Sequence, residues 1–247
     1  MNIVRMKIIT VALLSVFLTS ASALGEVLQI DSDFDGKMDQ WHHSSDDGKI
    51  IKIEFDKNGD GKIDQVDFYD RKDKPVRSEL DSNFDGKIDQ YQFYSKDNKL
   101  ERIERDTKFS GLVDWIEYYG AAKGITSIKT DENHDGKMDS FQYFNNQGEL
   151  GRWELDYDHN GKIDRWEYFG PKETLLKAAF DSNGNGKPDQ WQYFIDSTIL
   201  QKVEFDTNDD GKPDHWRHYD SSGKLVRIEE DRNYDGKPDQ IKKKNLK

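Results

Sequence analysis

Residues 181–205 read DSNGNGKPDQWQYFIDSTILQKVEF, and this stretch carries the plan of the whole chain. It opens with oxygen-bearing side chains at every second residue, Asp181, Asn183 and Asn185, then Gly186 and finally Asp189. Trp191-Gln192-Tyr193-Phe194 follows, then a turn, then a second run that includes Val203 and Phe205. Outward from this stretch, an Asp with a Gly five residues later recurs at Asp31, Asp56, Asp81, Asp106, Asp131, Asp156, Asp181, Asp206 and Asp231. Every interval is 25 residues, without insertions, and such a fixed period marks a repeat architecture. The first unit begins DSDFDGKMDQW and the eighth DTNDDGKPDHW; eight of nine copies keep Asp-x-Asp/Asn-x-Asp/Asn-Gly-Lys-apolar-Asp. Positions are counted below from the first Asp of each unit.

Behind each loop, two runs of about seven residues alternate aromatic or β-branched side chains with polar ones. Examples are Trp115-Ile116-Glu117-Tyr118-Tyr119 and Ile50-Ile51-Lys52-Ile53-Glu54-Phe55. Asp47-Gly48, Asp97-Asn98, Gln147-Gly148 and Ser222-Gly223 mark turns between the runs. Pro188, Pro213 and Pro238 stand where a strand can spare its first amide donor. The expected fold is all-β: an antiparallel meander of nine 25-residue hairpins, with the acidic loops along one edge. Simple alternation puts Trp191, Tyr193, Val203 and Phe205 on one face and Gln190, Gln192, Lys202 and Glu204 on the other, a sheet apolar on one side and wet on the other. Twist would curl so long a sheet into a superhelix, a wide barrel or propeller-like blades, and the sequence leaves these three open.

The 247 residues carry a net charge of −12, no cysteine, and 12% Trp, Tyr and Phe. Aromatic richness argues against disorder, and sparse aliphatics point to many small aromatic clusters rather than one core. The acidic balance excludes nucleic acid, whose phosphates need clustered Lys and Arg, and suits a polyvalent cation. Arg5 and Lys7, the apolar run 8–18 and Ala21-Ser22-Ala23 form the pattern of a signal peptide. That run is too short for a membrane span. Residues 1–23 are therefore expected to be removed near Ala23, leaving 24–247 as a single exported repeat domain, periplasmic or secreted.

Calcium takes six to eight oxygen ligands and tolerates loose angles, so a short loop with oxygens at alternate positions suits it. Positions 1, 3, 5 and 9 supply side chains, Gly at 6 allows the bend, and position 7 offers its carbonyl. In the first unit these are Asp31, Asp33, Asp35, Lys37 (carbonyl) and Asp39. The second offers Asp56, Asn58, Asp60, Lys62 and Asp64; the third Asp81, Asn83, Asp85, Lys87 and Asp89. The fifth supplies Asp131, Asn133, Asp135, Lys137 and Asp139, and the sixth Asp156, Asp158, Asn160, Lys162 and Asp164. In the seventh they are Asp181, Asn183, Asn185, Lys187 and Asp189. The eighth has Asp206, Asn208, Asp210, Lys212 and Asp214, the ninth Asp231, Asn233, Asp235, Lys237 and Asp239. The fourth, 106–114, places Lys108 where a ligand belongs and is expected to hold no ion, its ammonium standing in for the charge. Up to eight calcium ions follow. The six His residues, at 42, 43, 134, 159, 215 and 218, are expected to be exposed side chains rather than ligands.

These loops resemble EF-hand calcium loops, and more closely the Asp-x-Asp-x-Asp-Gly-x-x-Asp loops of integrin alpha-chain propellers and thrombospondin type 3 repeats. The resemblance covers about a third of the chain and implies calcium at the positions named above. It departs from EF-hands at position 12, where only Glu117 and Glu167 match the bidentate Glu; His42, Asp67, Gln92, Gln142, Gln192, Arg217 and Lys242 do not. Flanking helices are absent from the pattern as well, so no helix-opening switch is implied.

Together these features point to a non-enzymatic, exported calcium-binding protein with a structural or interaction role. Catalysis fits poorly, because carboxylates that recur equally in every unit do not single out one site. A second class is a calcium-dependent module that recognises a glycan or a cell-surface protein through exposed Trp and Tyr.

Overall fold

The computed structural model describes residues 25–120 and 124–243; the signal-peptide expectation at 1–23 lies outside the described residues. β1 is Val27–Ile30, β2 Gln40–Ser44 and β3 Ile50–Phe55. β4 (Gln65–Tyr69), β5 (Pro75–Leu80), β6 (Gln90–Tyr94) and β7 (Leu100–Arg105) repeat their spacing. β8 (Trp115–Tyr119), β9 (Ile125–Thr130), β10 (Ser140–Phe144) and β11 (Leu150–Leu155) continue it. β12 (Arg165–Gly170) passes through a 3₁₀ turn at Pro171–Glu173 into β13 (Thr174–Phe180). β14 (Gln190–Ile195), β15 (Ile199–Phe205), β16 (His215–Tyr219), β17 (Leu225–Glu230) and β18 (Gln240–Lys243) complete the series. No α-helix occurs among the described residues, and no helix there is long and apolar enough to cross a membrane.

All 18 strands belong to one sheet. Each pairs antiparallel with its chain neighbours, β1 with β2 at one end and β17 with β18 at the other. No pairing joins β1 to β18 among the described residues. The sheet is thus an open meander, which removes the closed barrel and the ring of blades from the expected alternatives. Because consecutive strands reverse direction, the acidic segments all fall on one edge and the tight turns on the other.

One register governs both sides of every strand. Lys52 opposes His43 on β2 and Phe68 on β4; Glu54 opposes Trp41 and Val66. Positions 13 and 22 therefore form one row across the sheet, and positions 11 and 24 another. The first row alternates aromatic and cationic side chains: Phe68, Arg77, Phe93, Arg102. Each cation lies on its neighbour's ring, Arg77 4.6 Å from the centre of Phe68, Arg102 4.1 Å from Phe93, Arg152 4.3 Å from Tyr143 and Lys202 4.3 Å from Tyr193. The same cations pair with the glutamate two residues on, at 2.7 Å for Arg77–Glu79 and Lys202–Glu204 and 2.9 Å for Arg102–Glu104. At partly exposed sites each contact stabilises by roughly 0.5–1 kcal/mol, so it is repetition that makes them count.

This register overturns the expectation of one apolar and one wet face. Directly opposed residues share a face. Trp191 and Tyr193 oppose Glu204 and Lys202, whereas Val203 and Phe205 oppose Gln192 and Gln190. Both faces are mixed. The cause is a bulge beside each tight turn: Tyr193 pairs with Lys202 but Phe194 with Leu200, which leaves Gln201 over. The extra residue shifts the phase of the second strand by one.

Burial is correspondingly thin. Among the described residues only Ile103, Ala178, Ala179 and Val203 are buried apolar side chains, while thirteen loop aspartates at positions 1 and 9 are buried. No large apolar core forms among the described residues. Replacing Ile103 by Ala is expected to cost about 2–3 kcal/mol in denaturant unfolding, the lower part of the range for buried aliphatics, because the sheet is one layer thick.

Candidate functional site

The loop at 81–89 shows how the acidic edge is built. Asp81 accepts the N–H groups of Asp85 at 3.2 Å and Gly86 at 2.6 Å. Asn83 accepts the Asp85 N–H at 3.0 Å, and Asp85 that of Lys87 at 2.9 Å. Asp89 closes the loop, accepting the Ser82 N–H at 2.8 Å and its hydroxyl at 2.7 Å. Each carboxylate thus gathers amides that the bend strips from the strand ladder. The bond from Gly at position 6 to Asp at position 1 recurs at 2.9 Å for Gly36–Asp31, 2.8 Å for Gly61–Asp56 and 2.7 Å for Gly236–Asp231.

The glycine expectation holds: Gly36, Gly86, Gly186 and Gly236 have φ between 87° and 94°. Position 4 is left-handed too, with φ of 65° at Phe34, 62° at Phe84, 56° at Phe109 and 59° at Tyr234. A side chain in that conformation costs roughly 1–2 kcal/mol. Gly59 and Gly184 at the same position were the signal in the sequence for it.

Burial divides the expected ligands. Position 1 is buried at Asp56, Asp81, Asp131, Asp156, Asp181, Asp206 and Asp231, and position 9 at Asp64, Asp89, Asp139 and Asp214. Positions 3 and 5 are exposed throughout, and so is Lys37. Three carboxylates converge in two loops: Asp31, Asp33 and Asp39, and Asp156, Asp158 and Asp164, each with an oxygen within 4.8 Å of the others. These are the two units with Asp rather than Asn at position 3. Asp35 stands outside its cluster, turned to the Lys37 N–H at 2.8 Å. In the ninth loop, Asp231 Oδ1 is buried without a hydrogen-bond partner. A desolvated anionic oxygen lacking a donor is costly, and a cation is the group that would satisfy it. A donor set made of carboxylate, amide and carbonyl oxygens fits a hard ion such as calcium.

The fourth loop takes the same shape despite its sequence. Thr107 donates its N–H and hydroxyl to Asp114, each at 2.9 Å, and Ser110 its N–H to Asp106 at 3.0 Å. Burial raises the Asp106 pKa, but N–H bonds from Ser110, Gly111 and Lys108 outweigh it and hold the carboxyl below its usual range. The Gly111 N–H donates to Asp106 as well. The bend is therefore held by its own hydrogen bonds.

Successive loops are stitched together. The position 1 N–H donates to the preceding position 9 carbonyl, at 3.0 Å from Asp56 to Asp39 and 2.8 Å from Asp81 to Asp64 and from Asp231 to Asp214. His159 Nδ1 lies 3.1 Å from Asp139 of the loop before, and that bond raises the His159 pKa above its ordinary value. His134 approaches Asp114 likewise, at 3.6 Å. His43 and His218 bond Glu54 at 2.6 Å and Glu229 at 2.9 Å. His134 and His159 are exposed as expected, whereas His43 and His218 are half-buried in the sheet. A cleft of about 410 Å³ opens between the first two loops, lined by Asp33, Asp35, Asp39, Asp56 and Asn58 among others.

No family model matches the chain, and no curated protein does. Among solved structures, TcdB2-TccC3-TEV is similar with a TM-score of 0.22 and 13% identity, over 90% of this chain and 16% of that one. The Photorhabdus luminescens Tc holotoxin pore gives 0.21 and 12%, over 85% and 15%. The chain spans about one sixth of the length of these toxin chains at most, and a likeness this weak carries no weight on fold or activity.

Position 9 clamps the loop whether or not an ion is present, whereas position 5 is exposed. In chelator, Asp89→Ala is expected to destabilise the fold by about 1–3 kcal/mol, because it strands the Ser82 amide, and Asp85→Asn by under about 0.5 kcal/mol. Paired denaturant titrations measure the difference.

Proposed function

We propose that the chain is an exported, non-enzymatic calcium-binding protein of nine 25-residue hairpin repeats, whose ions stiffen the acidic edge of the sheet. The observation that carries this reading is the convergence of Asp31, Asp33 and Asp39, and of Asp156, Asp158 and Asp164, in loops whose bends recur along the chain. The unsatisfied oxygen of Asp231 supports it independently. Asp and Asn at position 3 would hold the ion from the solvent side, position 1 from the buried side, with Lys carbonyls at position 7 completing the oxygen set. Packed carboxylates repel one another, and a divalent ion relieves that repulsion only in the folded loop, so binding stabilises the fold by linkage. Extracellular calcium modules bind at about 10⁻⁴–10⁻³ M, and that range makes the effect constitutive outside the cytoplasm rather than a sensor's switch.

One patch favours recognition as an added role. Trp166 and Trp191 flank Ala179, which is 2% exposed, while Lys177 lies 5.7 Å from the Tyr168 ring and 5.4 Å from Tyr193. Ala179 replaces the glutamate that pairs the cation in other rows. Flat aromatic surface beside an ammonium without an ion pair among the described residues suits an acidic glycan, and glycan binding lost on Trp166→Ala or Trp191→Ala would support this role.

Calorimetric titration with calcium, followed by circular dichroism, tests the main reading. Up to eight ions and a raised melting temperature are expected, and equal melting in chelator with no ion retained would sink it. The tightest sites should be the first and sixth loops. Lys108→Asn combined with Ser110→Asp should add one ion to the stoichiometry, since the fourth loop already has the bend.

A further inference from the structure

The two edges of the sheet are complementary halves of one junction. β1 occupies positions 22–25 and β18 positions 10–13, the two strand types that pair at every other junction. At those junctions position 22 opposes 13 and 24 opposes 11, as Lys52 opposes His43 and Glu54 opposes Trp41. The position 1 N–H also donates to the preceding position 9 carbonyl, as Asp56 does to Asp39 at 3.0 Å. Among the described residues, the outer sides of β1 and β18 have no strand beside them, and the Asp31 N–H and the Asp239 carbonyl lack this bond.

Chemistry distinguishes these edges from the interior. Six of the eight interior second strands carry Lys or Arg at 22 and Glu at 24, for example Arg77 and Glu79. β1 has Val27 and Gln29 there, with Val27 47% and Leu28 55% exposed. Edge strands in isolated sheets are usually guarded by charge, proline or bulges, and β1 has none of these. β18 carries Lys242 and Lys243, which repel a second β18 but not an uncharged strand. Opposite β1, Lys243 would meet Val27, Ile241 (53% exposed) would meet Gln29, Lys242 would meet Leu28, and Gln240 would meet Ile30. The last repeats the Gln40–Ile30 pairing already present in β1–β2.

We infer that β18 of one copy pairs antiparallel with β1 of a second copy, so that chains join head to tail and the sheet continues across the junction. Val27, Gln29 and Asp31 exchange backbone hydrogen bonds with Lys243, Ile241 and Asp239, in the mode of strand addition to a free edge. The interface is heterologous, so each added chain presents a fresh β18 or β1, and association is open-ended. The pairing requires no calcium.

The register dictates the test. Ser44 donates its N–H to Glu26 at 2.8 Å, which turns the Leu28 and Ile30 amides toward β2 and leaves those of Val27 and Gln29 facing outward. Gln29→Pro removes one outward donor without touching the β1–β2 bonds, and Ile241→Pro does the same for β18. Sedimentation velocity on the purified mature chain, lacking residues 1–23, should show mean mass rising with concentration, and each proline variant should remain monomeric. Mixed one to one, the two variants should form a dimer and nothing larger, because each supplies the edge the other has lost. Val27→Lys, which sets a second ammonium opposite Lys243, should abolish association without altering the backbone. A wild-type chain monomeric at every concentration overturns the inference, and so does Ile241→Pro associating with itself, which would mean β1 pairs with β1. Association of both proline variants to the wild-type extent overturns it as well.

Discussion

The aspartates at positions 1 and 9 of each acidic loop, as carboxylates and as backbone, hold the register of the sheet. The side chain at position 1 gathers the amides of the bend; the side chain at position 9 seals the entry by taking the amide of position 2. Their backbones meet those of the neighbouring loops, Asp81 N–H to Asp64 carbonyl at 2.8 Å and so on along the edge. With bend and neighbour both fixed, each strand leaves the loop in one phase. A strand that slipped by one residue would have to abandon these bonds and leave buried carboxylates without donors, which is far costlier than losing a surface contact.

Fixed phase turns sequence period into rows of like chemistry. Because the pairing is the same on both sides of a strand, an arginine at position 22 meets an aromatic ring on either hand, and the glutamate at 24 sits close enough to take its charge. Lys129 illustrates it from the other row, lying 5.0 Å from the Tyr118 ring and 6.0 Å from Phe141. A single-layer sheet has no second layer against which to bury leucine or valine. Guanidinium and ammonium groups laid over rings use the same area to cover apolar surface while keeping the outer side wet. Twelve of the 30 Trp, Tyr and Phe residues stand in these rows, at positions 11 and 13. Glu117 shows the same economy on the opposite face. Burial works against its charge, yet Arg105, Tyr119 and Trp115 all donate to it and hold its pKa below the ordinary carboxylate value. Burial, together with that carboxylate, lifts the Tyr119 hydroxyl to about 12.

The period, the strands, the bends at Gly36 and its equivalents, and the alternation of loop edge and turn edge are all legible in the sequence, because each is a local property of side-chain type and spacing. Which side chains share a face is not. That depended on one unpaired residue beside each tight turn, such as Gln201, and nothing in the identity of Gln201 announces a bulge. The burial of Asp89 was hidden for a related reason: an acidic residue in a hydrophilic loop suggests a ligand, and only the fold reveals that Ser82 hangs on it. Ser or Thr at position 2 of several units was the available hint. That the fourth loop would keep the common bend despite Lys108 and Ser110 was not legible either, because the bend rests on amides, whose bonds do not depend on the residue at position 3.

Among the described residues, strands pair only with their chain neighbours, and that has a mechanical consequence. No described strand is paired with one from a distant part of the chain, so tension applied along the row direction reaches one pair of strands at a time. The hydrogen bonds of that pair are loaded along their own axes and open in sequence, not in shear. Such a molecule lengthens stepwise under load, giving up two strands and regaining them without disturbing the remainder, as a stack of independent links would.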